Sequence, residues 1–142
     1  TTLRSVSLPK CTSIGAYAFS SCISLSALSA PMCQSVLHSA FMLCSALQAL
    51  YLPVCGYISN SAFALCKNLT SLYLTSVTSV PVLGSDAFYK TPMVQYDSSI
   101  GTYGSVFVPE SIYSDFLVAS EWSSVVDRIV PMSDSEIAEL VT

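Results

Sequence analysis

Apolar residues recur along the first two-thirds of the chain at a fixed interval of 22 residues. Four successive copies open on a leucine: Leu3, Leu25, Leu47 and Leu69. In each copy the residues three and five places further on are apolar, and a Ser or a Tyr separates them. This alternation predicts a short strand with one buried face. A period of this length is typical of a solenoid, in which each coil covers the next.

Each copy continues with features that indicate where the chain turns. The first three copies have a proline directly after the strand, at Pro9, Pro31 and Pro53. Because proline has no N–H for a neighbouring strand, each one is expected to end its strand. A second extended segment is expected to end on an aliphatic residue: Ile14, Val36, Ile58 and Val80. An Ala-Phe pair follows in all four copies, delayed in the fourth by three extra residues that we place around residues 82–84.

These copies resemble the BspA-like leucine-rich repeats of bacterial surface proteins, also called the Treponema pallidum type. The family pattern is approximately L-x-x-I-x-L-P-x-x-(V/C)-x-x-I-x-x-x-A-F-x-x-C, and residues 3–22 satisfy nearly all of it. The resemblance extends to about residue 92. It implies an α/β solenoid: a right-handed coil with a parallel β-sheet, short turns or 3-10 helices, and an α-helical C-terminal cap. It also implies a secreted or cell-surface protein with a role in adhesion.

The period is lost after residue 92, and the remaining chain predicts a cap for the last coil. Residues 93–104 are interpreted as a loop, and residues 105–109 (SVFVP) match the strand-and-proline element, so we expect a fifth strand in the same sheet. Residues 110–120 predict a helix that buries one face: Ile112, Tyr113, Phe116 and Leu117. Trp122 and residues 125–130 would complete the cap, which a solenoid needs because an uncovered end exposes core and backbone.

The last ten residues predict either a short terminal helix or a linker to a further domain. Ser133 and Glu136 have the S-x-x-E spacing of a capping box, in which each side chain accepts a backbone N–H of the other residue. The chain therefore divides into four repeats (1–92), a capping unit with a fifth strand and a helix (93–132), and a tail or short terminal helix (133–142).

Charge is scarce and unevenly placed, which argues against some partners. Only 10% of the residues are charged, and none lies between Cys11 and Cys66. Polar residues and prolines interrupt that stretch, so it offers no apolar run of about 18 residues that could span a membrane. All nine acidic residues lie at Asp86 or later, and no basic patch occurs, so we expect no nucleic-acid partner.

The start of the chain lacks the charged segment and apolar segment of a signal peptide. We therefore interpret the chain as a mature or cut-down fragment. The expected location is extracellular or on the cell surface, with any signal or anchor not in this chain.

The six cysteines occupy two repeat positions, eight and nineteen places after the leading leucine. They are Cys11, Cys33 and Cys55, and then Cys22, Cys44 and Cys66. Six cysteines allow a disulfide framework or a metal site. However, no C-x-x-C occurs, and Val77 takes the first position in the fourth copy. We therefore favour six buried, reduced thiols that act as small apolar residues.

Groups that could perform catalysis are sparse. His38 is the single histidine, and no acid occurs before Asp86 to orient it, so we interpret it as a surface residue without a role. The acids Asp115, Glu121 and Asp127 are more simply a solvated helical face than a carboxylate pair. No glycine-rich phosphate loop is present. We expect no enzyme, no cofactor and no metal.

The outward strand position is more informative. It carries Ser7, Ser29, Tyr51, Tyr73 and, by alignment, Phe107. Parallel stacking would place the three aromatic residues in one column beside small residues that leave the column accessible. Accessible aromatic side chains are favoured binding anchors. The same geometry would also arise if the rings only stabilised the sheet through cross-strand contacts.

Two classes of function therefore remain open. The first is a non-catalytic module that binds a protein on a host or neighbouring cell, or a glycan, through this column. The second is a structural spacer that presents another domain.

Overall fold

The computed structural model describes residues 4–140 and shows a solenoid of stacked coils. The strands, in chain order, are β1 (Ser5–Ser7), β2 (Ser13–Ile14), β3 (Ala27–Ser29), β4 (Ser35–Val36), β5 (Ala49–Tyr51), β6 (Tyr57–Ile58), β7 (Ser71–Tyr73), β8 (Val82–Leu83), β9 (Ser105–Pro109) and β10 (Ile129–Met132). The α-helices are α1 (Tyr113–Val118) and α2 (Asp134–Glu139), and 3-10 helices cover Glu110–Ile112 and Ser120–Arg128. Leu3, the predicted start of the first copy, and residues 141–142 of the predicted tail lie outside the described residues.

One parallel sheet of six strands extends along the solenoid in the order β1-β3-β5-β7-β9-β10. The repeats pair in a 22-residue register, so that Val6 lies beside Leu28 and Leu28 lies beside Leu50. The predicted parallel sheet is confirmed, and β9 pairs with β7 as its fifth strand. β10 pairs in parallel with β9 as a sixth strand, which the repeat pattern did not predict.

A second, four-stranded sheet in the order β2-β4-β6-β8 shows where the extra residues of the fourth copy lie. Ile58 pairs with Leu83, 25 residues later, and Leu83 is only 9% exposed. The prediction that Val80 ends this segment, with the insertion at residues 82–84, is therefore wrong. Val80 precedes Pro81, which has no N–H for the ladder, and the extra residues come before β8.

Aromatic rings form the centre of the core. The ring centroids of Phe19 and Phe41 are 5.4 Å apart, those of Phe41 and Phe63 5.8 Å, and those of Phe63 and Phe88 5.5 Å. Trp122 continues this series beyond the last coil, 6.1 Å from Phe88. The core is therefore continuous from the repeats into the cap.

Each Ala-Phe turn holds two non-glycine residues in the left-handed backbone region. In the second coil they are Ser39 (φ 54°) and Leu43 (φ 64°). This conformation costs an L-residue roughly 1–2 kcal/mol. Hydrogen bonds to the next coil offset the cost: the Ser39 N–H donates to the Asn60 carbonyl (3.1 Å), and the Leu43 N–H donates to the Ala64 carbonyl (3.0 Å). The turns therefore depend on the neighbouring coil for their shape.

The cap closes the core with Phe116 and Trp122, which are both fully buried. The indole N–H of Trp122 donates to the carbonyl of Pro81 at 2.8 Å and ties the cap to the fourth coil. The expected single helix over residues 110–120 is a short 3-10 helix followed by the six-residue α1. Leu117 is 43% exposed, so its predicted place on the buried face is wrong. Because α1 is less than two turns long, it buries only Phe116 fully.

The tail forms the helix α2, and its predicted capping box is confirmed. The Glu136 N–H donates to the Ser133 hydroxyl (3.2 Å), and the Ser133 N–H donates to the Glu136 carboxylate (2.9 Å). The division of the chain at residues 92 and 132 stays a prediction.

The cysteines line the core in two columns, and all six are free thiols. Four are buried, at Cys33, Cys44, Cys55 and Cys66. Cys11 and Cys22 are only half-buried, so the prediction of six buried thiols is wrong for these two. The reason is their place in the first coil, because no described coil covers that side.

Candidate functional site

The predicted aromatic column forms on one face of the six-stranded sheet. Tyr51, Tyr73 and Phe107 occupy the same register position on β5, β7 and β9. The Tyr51 and Tyr73 ring centroids are 6.2 Å apart, and Phe107 stacks on Tyr73 at 4.8 Å. All three side chains are half-buried, so each keeps part of its surface accessible.

The same face contains a hollow of about 430 Å³ in front of the first four strands of the sheet. Its outward-facing lining consists of Ser5, Ser7, Ala27, Ser29, Ala49, Tyr51 and Tyr73. The hollow exists because the outward strand positions of the first two coils carry only Ser and Ala. The first bulky residue at these positions, Tyr51, forms its wall.

The structure brings together four of the five residues proposed from the sequence. Ser7, Ser29, Tyr51 and Tyr73 all line the hollow. Phe107 is not part of the lining, and it instead supports Tyr73 from the side of the cap.

Sequence reasoning missed Leu140, which lines the same hollow from the end of α2. The repeat period had ended by that point, so no pattern in the chain indicated that the tail returns to the sheet.

None of the ten residues that line the hollow carries a charge. The site therefore offers apolar and aromatic surface together with serine and tyrosine hydroxyls. Such a lining can bury an apolar or aromatic group of a partner and hydrogen-bond to polar groups beside it.

Other candidate chemistry does not assemble in the described residues. His38 is exposed, with Nε2 3.1 Å from the Tyr17 hydroxyl and Nδ1 3.3 Å from the Asn60 carbonyl. Over residues 4–140, no group of three or more His, Cys, Asp or Glu side chains is placed to hold a metal ion. Within the same residues, no helix has the length and apolar character to cross a bilayer.

Two thiols of the core, those of Cys33 and Cys55, are chemically unreactive because they stay protonated. Burial raises the pKa of the Cys55 thiol to about 12, so this group stays protonated at neutral pH. Burial likewise raises the pKa of Cys33. Thiols in this state are poor nucleophiles and poor metal ligands.

Comparison with known proteins identifies the repeats. The family model described as a BspA type leucine-rich repeat region of six copies matches residues 1–103. Neither the curated proteins nor the solved structures compared with this chain gave a match. Repeats of this type are typical of bacterial surface proteins, typically mediate protein interactions and are generally non-catalytic. Because the match spans well over half of the 142 residues, the chain belongs to the BspA-type leucine-rich repeat family.

Proposed function

We propose that this chain is a non-catalytic interaction module of a secreted or surface-displayed bacterial protein, and that it binds protein partners in adhesion. The proposed binding surface is the sheet face that carries Ser7, Ser29, Tyr51, Tyr73 and Phe107. The observation that carries the proposal is the uncharged hollow in this face, with Tyr51 and Tyr73 as its wall.

The size and chemistry of the hollow suit a side chain of a partner protein. A volume of about 430 Å³ lies in the range of pockets that bind small molecules, so the hollow has room for a side chain of a partner. Tyr is enriched among the residues that contribute most to interface energies, because its ring buries a large area at little entropic cost. Phe107 behind Tyr73 restricts the motion of that ring, which reduces the entropy lost on binding.

The experiment is a binding screen that also distinguishes protein binding from glycan binding and from the role of a structural spacer. The chain is applied to immobilised extracellular proteins of host and bacterial cells and to a glycan array. The same screen is run with Ala49→Arg, which places a charged side chain in the hollow, and with the control Ser13→Arg. Ser13 is exposed on β2, in the other sheet.

We expect a protein ligand that Ala49→Arg loses and Ser13→Arg keeps. A hollow-dependent signal confined to glycans would replace the protein partner with a carbohydrate. No signal on either surface would favour a spacer that only presents another domain.

A further inference from the structure

The C-terminal segment, residues 133–140, returns over the proposed binding face. The strand β10 is held by parallel pairing with β9, at the end of the sheet furthest from β1. The chain then turns at Ser133, and Leu140 lines the hollow together with Ser7, Tyr51 and Tyr73. A segment from one end of the sheet therefore forms part of a hollow that opens over the other strands.

This segment is anchored at its base by a buried strand residue, and beyond the base it buries no residue fully. Ile129 of β10 is buried, whereas no residue of 133–140 is buried. Ser133 and Ile137 are half-buried, and Leu140 is 41% exposed. Moving the segment away would therefore remove little apolar area from contact, and segments with few buried contacts are the ones that open most readily.

The helix α2 also holds the segment together, so that it would move as one unit. The capping box formed by Ser133 and Glu136 satisfies backbone groups at the start of α2 without help from the rest of the fold. Because the helix begins directly after β10, the junction at Met132 and Ser133 is the natural hinge. A change of backbone angles there would swing Leu140 out of the hollow and leave β10 paired.

We propose that residues 133–140 are an intramolecular cover of the hollow, which a partner must displace before it reaches the wall formed by Tyr51 and Tyr73. The cover lowers the affinity of partners for this face, and it favours partners whose contacts with the face are extensive enough to displace it. The exclusion of a partner by the cover rests on the proposed function, whereas the cover itself is a property of the free chain.

The test measures the accessibility of the tyrosines in the full chain without any ligand. N-acetylimidazole acetylates exposed phenol groups, and peptide mass spectrometry gives the rate at each tyrosine. In the variant Ile137→Ser/Leu140→Ser, acetylation of Tyr51 and Tyr73 should rise about three- to tenfold, the change expected when one or two partly buried aliphatic contacts are lost. Tyr57 is an internal reference, because it is exposed on β6 in the other sheet.

The control Leu117→Ser removes from α1 an aliphatic side chain that is 43% exposed, close to the 41% of Leu140, and that does not line the hollow. It should leave all the rates unchanged. A second variant, Ser133→Ala/Glu136→Ala, opens the cover by weakening α2 and keeps both apolar residues, and it should raise the same two rates. Unchanged emission of Trp122 establishes that each variant is folded.

Equal rates at Tyr51 and Tyr73 in wild type and both folded variants would overturn the cover, whatever the binding screen finds. A rise at Tyr57 as well would also overturn it, since this would reflect general loosening. If acetylation of Tyr51 and Tyr73 is faster in the two variants but the binding screen finds no partner, the cover is supported and the proposed function is contradicted.

Discussion

Phe63 lies between Phe41 and Phe88 in the ring series of the core, and it is fully buried. Phe63→Ala should lower the free energy of unfolding by about 3–5 kcal/mol, as other truncations of buried Phe do. Denaturant unfolding followed by Trp122 fluorescence measures the change. The control Tyr57→Ala removes an exposed ring and should cost far less. A loss below about 1 kcal/mol at Phe63 would contradict its place in the core.

The buried thiol of Cys55 should make the free energy of unfolding depend on pH in the alkaline range. Its pKa is raised by burial to about 12, so the folded chain keeps a proton that the unfolded chain releases above about pH 8.5. The stability from this proton is complete below pH 8.5 and is lost as the pH rises towards 12.

The matched control for this effect is Cys55→Val, because Val77 already fills the equivalent position of the next coil. Between pH 8 and pH 10.5, with reductant, wild type should lose about 2 kcal/mol more unfolding free energy than the variant. Identical pH profiles would show that the thiol is not buried in the folded chain.

Among the elements, the cap decides whether the repeats are stable. Trp122 covers Phe88, and β9 pairs with β7, so a chain that ends after Pro92 would expose Phe88 and the edge of the sheet. We expect such a chain to aggregate or to melt without cooperativity. Light scattering and calorimetry measure both properties. A soluble, sharply melting 1–92 fragment would refute this assignment of the cap.

The elements also show how far the sequence predicts this fold. Where the 22-residue period holds, each position repeats the environment of its neighbour, so strands, prolines and the Ala-Phe turns could be assigned from one copy. At the insertion the period changes, and apolar residues at both Val80 and Leu83 leave the register undecided until the pairing with Ile58 is seen. The pairing of β10 and the path of α2 depend on tertiary contacts that no repeat encodes.

For the candidate site, alternation predicted the column because side chains two residues apart share a face of a strand. Tyr51 and Tyr73 could be found in this way, and so could the small residues beside them. Leu140 could not, because a single exposed leucine after a short helix carries no periodic signal.

In the whole molecule, the acidic residues are concentrated towards the cap. The nine acids lie from Asp86 onwards, whereas the lining of the hollow is uncharged. Binding in the hollow should therefore depend on contact rather than on long-range attraction, and its affinity should change little with salt. A partner held by the acidic cap would instead weaken as the salt concentration rises.

The most direct test of the proposed binding surface is the affinity of a protein ligand from the screen for Tyr51→Ser/Tyr73→Ser, measured by calorimetry at low and high salt. Serine occupies the same position in the first two coils, at Ser7 and Ser29, so the variant should fold. Each lost anchor should weaken binding by about 1–2 kcal/mol at both salt concentrations, while Tyr57→Ser binds as wild type does. Unchanged affinity of the folded double variant would contradict the account and place the binding surface elsewhere on the molecule.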